Sequence, residues 1–204
     1  MKRTVLLALL CAATAFAAPA ASLVEGRIYL KNGTVVECTG NDRIKLPKKS
    51  GPLKLFRDAF RRTKTKEVFR ADSVVCWHPK TPEYLRKFIP AADPGWMWVY
   101  LETPYIRVCV WSKKGYGIDT DGGIQIWQKQ RTFSQSRTAY FLQKHGGDGF
   151  RDVGGANRNS KDAFRERVAR YVDDDPALAE RIRHSNASRS KTVLMLQDYN
   201  PTKR

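Results

Sequence analysis

The most reactive side chains in this 204-residue sequence are four cysteines and three histidines, and their spacing assembles no familiar site. Cys11, Cys38, Cys76 and Cys109 lie too far apart for a CxxC metal or redox pair. A thiol nucleophile needs a base beside it. One of Cys38, Cys76 or Cys109 could meet His78, His145 or His184 in space, but no local motif marks such a pair. Asp119-Thr120-Asp121-Gly122-Gly123 begins like an oxygen-ligand calcium loop, yet Gln130 stands where the loop needs its bidentate Glu. Turn chemistry explains that segment more simply. His145-Gly146-Gly147-Asp148-Gly149 sets an imidazole near a carboxylate with no nucleophile beside it, and reads as a connector. Asp173-Asp174-Asp175 reads as the end of one helix and the acidic start of the next. These residues lead to the expectation of no catalytic residue, no metal site and no cofactor.

Charge is the stronger signal. The chain holds 37 Lys and Arg against 20 Asp and Glu, a formal +17. Between Asp42 and Lys87, fourteen basic residues stand against five acidic ones. Lys48, Lys49, Lys54, Arg57, Arg61, Arg62, Lys64 and Lys66 are the expected anion-binding set, because clustered cations attract polyanions and release counterions on binding.

The compartment limits which polyanion is reachable. Lys2 and Arg3 precede the apolar run Val5 to Ala13, and small-residue cleavage sites follow at Ala15-Phe16-Ala17 or Ala18-Pro19-Ala20. Residues 1–20 are therefore expected to be a secretory signal peptide, with an exported product placed in the periplasm, outside the cell or in association with the outer membrane. Leu10 before Cys11 argues against a lipoprotein signal. Cleavage would leave 35 basic residues, a charge of +15, and three cysteines expected to be free strand residues. No later stretch has the roughly 20 apolar residues of a membrane-spanning helix.

The elements that position these groups read as strands first and helices last. Val24 to Lys31 and Thr34 to Cys38 flank Asn32-Gly33, which predicts a type I′ hairpin pairing Lys31 with Thr34, Tyr29 with Val36 and Arg27 with Cys38. Arg43 to Arg70 is crowded with charge, and Phe56 to Arg62 reads as a helical turn or irregular loop. Lys66 to Phe69 and Ser73 to Trp77 read as a strand pair turning through Ala71-Asp72, with breaks at His78-Pro79 and Thr81-Pro82. Trp96 to Leu101, Tyr105 to Trp111, Ile124 to Trp127 and Thr138 to Gln143 complete six to eight strands. Phe164, Val168, Tyr171 and Val172 then recur at helical spacing behind Ser160, Asp175-Pro176 starts a second helix, and Thr192 to Tyr199 forms a third. The predicted fold is α+β: an antiparallel meander or sandwich over residues 21–145, then a linker and two or three short helices over 146–204, packed on the sheet.

The segments GRIYLKNGTVVEC, IKLP, FRADSVVCW, YFLQK and FRERVARYVDDDPALAERI, closed by Tyr199-Asn200, resemble a widespread group of secreted Bacteroidetes proteins of unknown function. The resemblance implies export and a strand-rich body with a helical tail, and brings no catalytic residues. Such tails often carry Cys where Asp175 stands here. The same context gives Asp72-Ser73-Val74 the form of an O-glycosylation acceptor, with Ser73 as the modified residue.

The expected function is a non-catalytic exported protein of the cell envelope that binds anionic lipid or an acidic glycan through its basic surface. Export removes nucleic acid from consideration. The alternatives are a carbohydrate-binding module with an aromatic platform from Trp96, Trp98, Trp111 or Trp127, and a Cys/His-dependent enzyme.

Overall fold

A computed structural model describes residues 23–45, 51–93, 95–112, 116–118, 124–126, 138–147, 149–155 and 159–201. The fold is α+β, with thirteen strands among these residues followed by three short helices. Strands β1 (Leu23–Leu30), β2 (Val35–Glu37), β3 (Arg43–Lys45), β4 (Leu53–Arg57) and β5 (Thr65–Phe69) precede β6 (Ala71–His78), β7 (Thr81–Ile89), β8 (Met97–Glu102) and β9 (Ile106–Ser112). β10 (Tyr116–Ile118) and β11 (Ile124–Ile126) pair only with each other, and β12 (Thr138–Lys144) and β13 (Arg151–Gly154) complete the sheet. All pairings are antiparallel.

The main sheet runs β13-β12-β9-β8-β7-β6-β1-β3-β4-β5, with β2 added to β1. At one end the covalent chain, without a hydrogen-bonded β5–β6 pair, closes a ring of strands. β5 and β6 are separated by Arg70 alone, yet β5 pairs with β4 while β6 pairs with β1 and β7. The chain therefore bends at Arg70 and completes a ring through β1, β3, β4 and the β5–β6 segment. The expected β5–β6 hairpin is corrected accordingly: one residue is too short a turn to fold a strand back on its neighbour. Val24, Ile28, Ile44, Leu53, Leu55, Val74 and Cys76 fill the ring with Phe88, Trp96 and Tyr116.

β1 serves both halves of this ring. Its start pairs with β3 through Leu23↔Lys45 and Val24↔Ile44, and its end pairs with β2 through Arg27↔Glu37, Ile28↔Val36 and Tyr29↔Val35. Gly26 lies at the change of partner. A Cβ built there would sit 2.4 Å from the Val75 carbonyl oxygen and 3.1 Å from the Cys76 Cα, so only glycine allows β6 to approach this closely.

The β1–β2 register differs by one residue from the type I′ expectation. The Leu30 amide donates to the Thr34 carbonyl at 2.9 Å and the Gly33 amide to the Leu30 carbonyl at 3.0 Å, leaving a three-residue loop, Lys31 to Gly33. Gly33 alone takes a positive φ, at 83°, so the loop is a type I turn closed by a glycine bulge. The Asn32 side chain accepts from the Thr34 amide at 3.0 Å instead of entering the left-handed region. A one-residue slip exchanges the faces. Val36 and Cys38 turn to the core side, and Val35 is left 45% exposed.

The other half of the sheet carries the helices. α1 (Lys161–Tyr171), α2 (Pro176–His184) and α3 (Arg189–Leu194), which runs into a 3-10 turn at Met195–Asp198, bury Phe164, Val168, Leu178, Ile182, Val193 and Leu196 against Ile106, Val108, Leu142 and Val153. Each helix is capped as its sequence dictates. Ser160 accepts from the Ala163 amide, Asp175 from Leu178 with Pro176 behind it, and Ser188 from Lys191. Asp175 does more than cap, because its second oxygen accepts the Asn200 amide at 3.1 Å and ties the closing turn to the start of α2. The opposite face of β8, β9 and β12 buries Met97, Cys109 and Ala139.

Gly26→Ala is expected to lower unfolding stability by about 2–4 kcal/mol, since the clash is with backbone that cannot rotate away. A guanidinium titration measures this as a lowered midpoint at unchanged slope. A midpoint equal to that of the parent would mean that the approach of β6 to β1 at this point is not constrained.

Candidate functional site

Alternation along β3, β4 and β5 sorts their residues into two faces. Ile44, Leu53 and Leu55 point into the ring. The outward residues form two cross-strand rows, set by the register Lys45↔Lys54↔Val68 and Arg43↔Phe56↔Lys66. Lys64 and Arg70 extend β5 at the same parity. Lys45, Lys54, Lys64, Lys66 and Arg70 are all exposed and have no carboxylate partner among the described residues. Lys45 and Lys54 stand directly opposite one another, an arrangement that costs stability in a sheet. Apolar groups share the surface: Val68 is 51% exposed and Phe60, in the β4–β5 connection, 67%. Lys64 Nζ lies 5.7 Å from the Phe56 ring centre, and the Arg43 guanidinium 5.1 Å from that of Phe60.

Four other cations of the segment are committed elsewhere. Arg43 is buried and bonds Glu25 at 3.1 Å. Arg57 bonds Asp42 at 2.6 Å and Glu67 at 2.8 Å, and these hydrogen bonds hold its guanidinium above the usual range. Arg61 bonds Asp58, and Lys87 bonds Glu102. The structure thus brings together Lys54, Lys64 and Lys66 of the sequence-derived set. It adds Lys45 and Arg70, leaves Arg62 exposed in the β4–β5 connection, and gives Arg57 and Arg61 to local ion pairs. Lys48 and Lys49 lie outside the described residues. The signal that could have found Lys45 and Arg70 is the period of two, once β3 and β5 are recognised as strands.

Asp42 organises the rim of this face. Its carboxylate accepts from Arg57, from the Asp58 amide at 3.0 Å and from the Thr39 amide and hydroxyl at 3.3 and 3.2 Å. Burial pushes the Asp42 carboxyl up, but these donors outweigh it and hold it below the ordinary carboxylate value. The Ala59 amide donates to the Asn41 carbonyl at 2.9 Å, so the turn carrying Phe60 is fastened from beneath.

Among the described residues the alternative chemistries do not assemble. Cys38, Cys76 and Cys109 are all free, and Cys76 and Cys109 are buried. Burial pushes the Cys38 thiol up to about 11, Cys109 to about 12 and Cys76 further still, which opposes thiolate formation at neutral pH. No cysteine hydrogen-bonds a histidine among the described residues; the Cys76 thiol instead faces the Arg86 carbonyl at 3.6 Å. His145 is exposed, His184 pairs with Glu180, and His78 accepts from the Lys80 amide in the β6–β7 turn. Among the described residues, no group of three or more His, Cys, Asp or Glu is placed to hold a metal ion. Asp119 to Gly123 and Asp148 lie outside them. Asp174 accepts from Lys144 and the Tyr199 hydroxyl, so with the Asp175 cap two of the three consecutive carboxylates are structural.

The aromatic platform is likewise divided. Trp96 is 1% exposed inside the ring, with its indole N–H given to the Gly51 carbonyl. Trp98 and Trp111 are half-buried, and Trp127 lies outside the described residues. Ser73 is half-buried in β6, opposite Tyr29.

Comparison with protein-family models, with curated proteins and with solved structures finds no match to this chain.

Two outcomes follow from this geometry. Alkylation of the folded protein at neutral pH should label Cys38 slowly and leave Cys76 and Cys109 unmodified, as peptide mass mapping would read; fast labelling of either buried thiol would contradict their placement. Because the folded Asp42 pKa lies below its unfolded value, its contribution is present above the unfolded value and fades as pH falls through the folded one. Asp42→Asn should therefore cost about 1–2 kcal/mol at neutral pH, a figure reduced for the partial exposure of Arg57, and the difference from the parent should shrink in acid. A pH-independent difference in thermal melts would assign the loss to packing instead.

Proposed function

We propose that this protein is a non-catalytic, exported component of the cell envelope that binds a polyanion through the outer face of β3, β4 and β5. The observation that carries the reading is the block of uncommitted cations at Lys45, Lys54, Lys64, Lys66 and Arg70, with Lys45 and Lys54 juxtaposed across strands. Neighbouring Arg43, Arg57 and Arg61 each have a carboxylate, so the absence of acidic partners on this face is local. An anion laid over it relieves the repulsion between the lysines. Export rests on the leader pattern of residues 1–20 and on the resemblance to secreted proteins, and it selects acidic lipid headgroups or acidic glycans over nucleic acid.

The magnitudes are sufficient for weak, reversible binding. Each Lys or Arg held near an anionic surface contributes about 1 kcal/mol, so five supply about 5 kcal/mol, a dissociation constant of order 0.1–1 mM that multivalency improves.

Titration with acidic vesicles and with heparin, from about 50 to 500 mM NaCl, should show binding at low salt that is lost as the screening length shortens. The triple variant Lys45→Gln, Lys54→Gln, Lys66→Gln should weaken it by about two orders of magnitude without lowering the thermal midpoint. No binding to either polyanion at low salt, or a triple variant that binds as the parent does, would overturn the reading.

A further inference from the structure

The cationic face also carries apolar groups that a soluble polyanion cannot use. Phe60 is 67% exposed and Val68 51%, the former beside Arg61 and Arg62 in the β4–β5 connection and the latter in the same cross-strand row as Lys45 and Lys54. A ring this exposed is unfavourable in water. It is not a loose side chain. Asp42 and Asn41 hold the backbone on its N-terminal side through the Asp58 and Ala59 amides, and the Arg43 guanidinium, itself fixed to Glu25, lies 5.1 Å from the ring centre.

We propose that the polyanion is an anionic lipid bilayer, and that Phe60 is the side chain that enters the boundary between headgroups and acyl chains. This rests on the reading of the basic face given above. Charge complementarity selects an acidic surface, and the preset aromatic selects one with an apolar phase beneath the charge. Aromatic rings settle at headgroup depth, and lysines around them reach acidic headgroups while laying their aliphatic stems along the apolar layer. Lys54, Lys64, Lys66 and Arg70 surround Val68 and the Phe56 ring in this way, on neighbouring positions of two paired strands.

The test uses the full chain and two probes: vesicles containing phosphatidylglycerol, with pure phosphatidylcholine vesicles as control, and heparin as a polyanion with no apolar phase. Phe60→Ala should lower vesicle affinity about tenfold and leave heparin affinity unchanged. Phe60→Trp should restore vesicle binding, and its added emission should be quenched by lipids brominated high on the acyl chain. Leu194→Ala, which removes a 40% exposed side chain at the end of α3, should bind as the parent does, and thermal melts confirm that each variant is folded. Vesicle binding that is indifferent to Phe60→Ala overturns the insertion, as does heparin binding without vesicle binding; both leave the polyanion reading standing. Loss of binding to both probes in the parent protein overturns both.

Discussion

Everything in the N-terminal half depends on one strand being able to pair along both edges. β1 lies against β6 on one side and against β3 and then β2 on the other, and it changes partner where Gly26 removes the side chain that would strike the β6 backbone. With that approach allowed, the chain leaving β4 can run through β5, bend at Arg70 and return beside β1. The ring so formed is small enough for Trp96 and Tyr116 to plug. The Tyr116 hydroxyl donates to the Val110 carbonyl at 2.8 Å, lies 3.1 Å from that of Trp96 and accepts from the Ser112 amide at 3.1 Å, so one phenol links the ring to the start of β8 and the end of β9. The hydroxyl both donates its proton to a carbonyl and accepts from an amide, which is what makes so deep a burial of a polar group tolerable.

The same closure decides the fate of the positive charge. A three-strand surface closed by its own backbone has an inner face that must be apolar and an outer face free to take any residue. β3, β4 and β5 turn Ile44, Leu53 and Leu55 inward and Lys45, Lys54 and Lys66 outward beside Phe56 and Val68, so a charge run in sequence becomes a compact basic face. At one rim the acids Asp42 and Glu67 meet Arg57. In the middle of the face the acids stop. Lysine on the edge strand β5 also keeps that edge from pairing with another chain. That role needs neither the lysine pair between β3 and β4, which lies off the edge, nor an exposed phenylalanine.

How much of this was legible in the sequence depended on the length of each pattern. The C-terminal helices were legible because the caps Ser160 and Asp175-Pro176 bracket an unbroken helical period. The aromatic strands were legible because they alternate over six residues or more. β3 and β4 were hidden because three and five residues, RIK and LKLFR, give too few alternations to outweigh their charge. β7 was hidden by Thr81-Pro82, and the structure accommodates that proline where residues 82–85 have no register partner in β6. β13 was hidden in a glycine-rich stretch read as linker, whose backbone the sheet nonetheless uses. The hairpin was recognised but mis-registered, since Asn-Gly fits both a two-residue turn and the last two places of a three-residue loop, and only packing of Ile28 against Val36 chooses between them. Of the basic set, the sequence alone could not separate Arg57 from Lys54 and Lys66, because its partners Asp42 and Glu67 come from another loop and another strand, whereas the partner of Arg61 is Asp58, three residues before it.

The residues that looked chemically most capable turn out to be those most fully occupied by folding. Cys76 and Cys109 pack as small apolar groups, and burial moves their thiols away from ionisation. Asp174 and Asp175 are consumed by Lys144, Tyr199, a helix start and the Asn200 amide. A catalytic group has to keep a lone pair or proton available to a substrate; the two aspartates have given theirs to the protein, and the two thiols are buried away from one. The lysines of the outer face differ in that respect: they are exposed, and Lys45 and Lys54 stand opposite one another rather than opposite acids. The fold has left an interaction unsatisfied not at its reactive residue types but at the surface of β3, β4 and β5, and the proposed polyanion binding rests on that contrast.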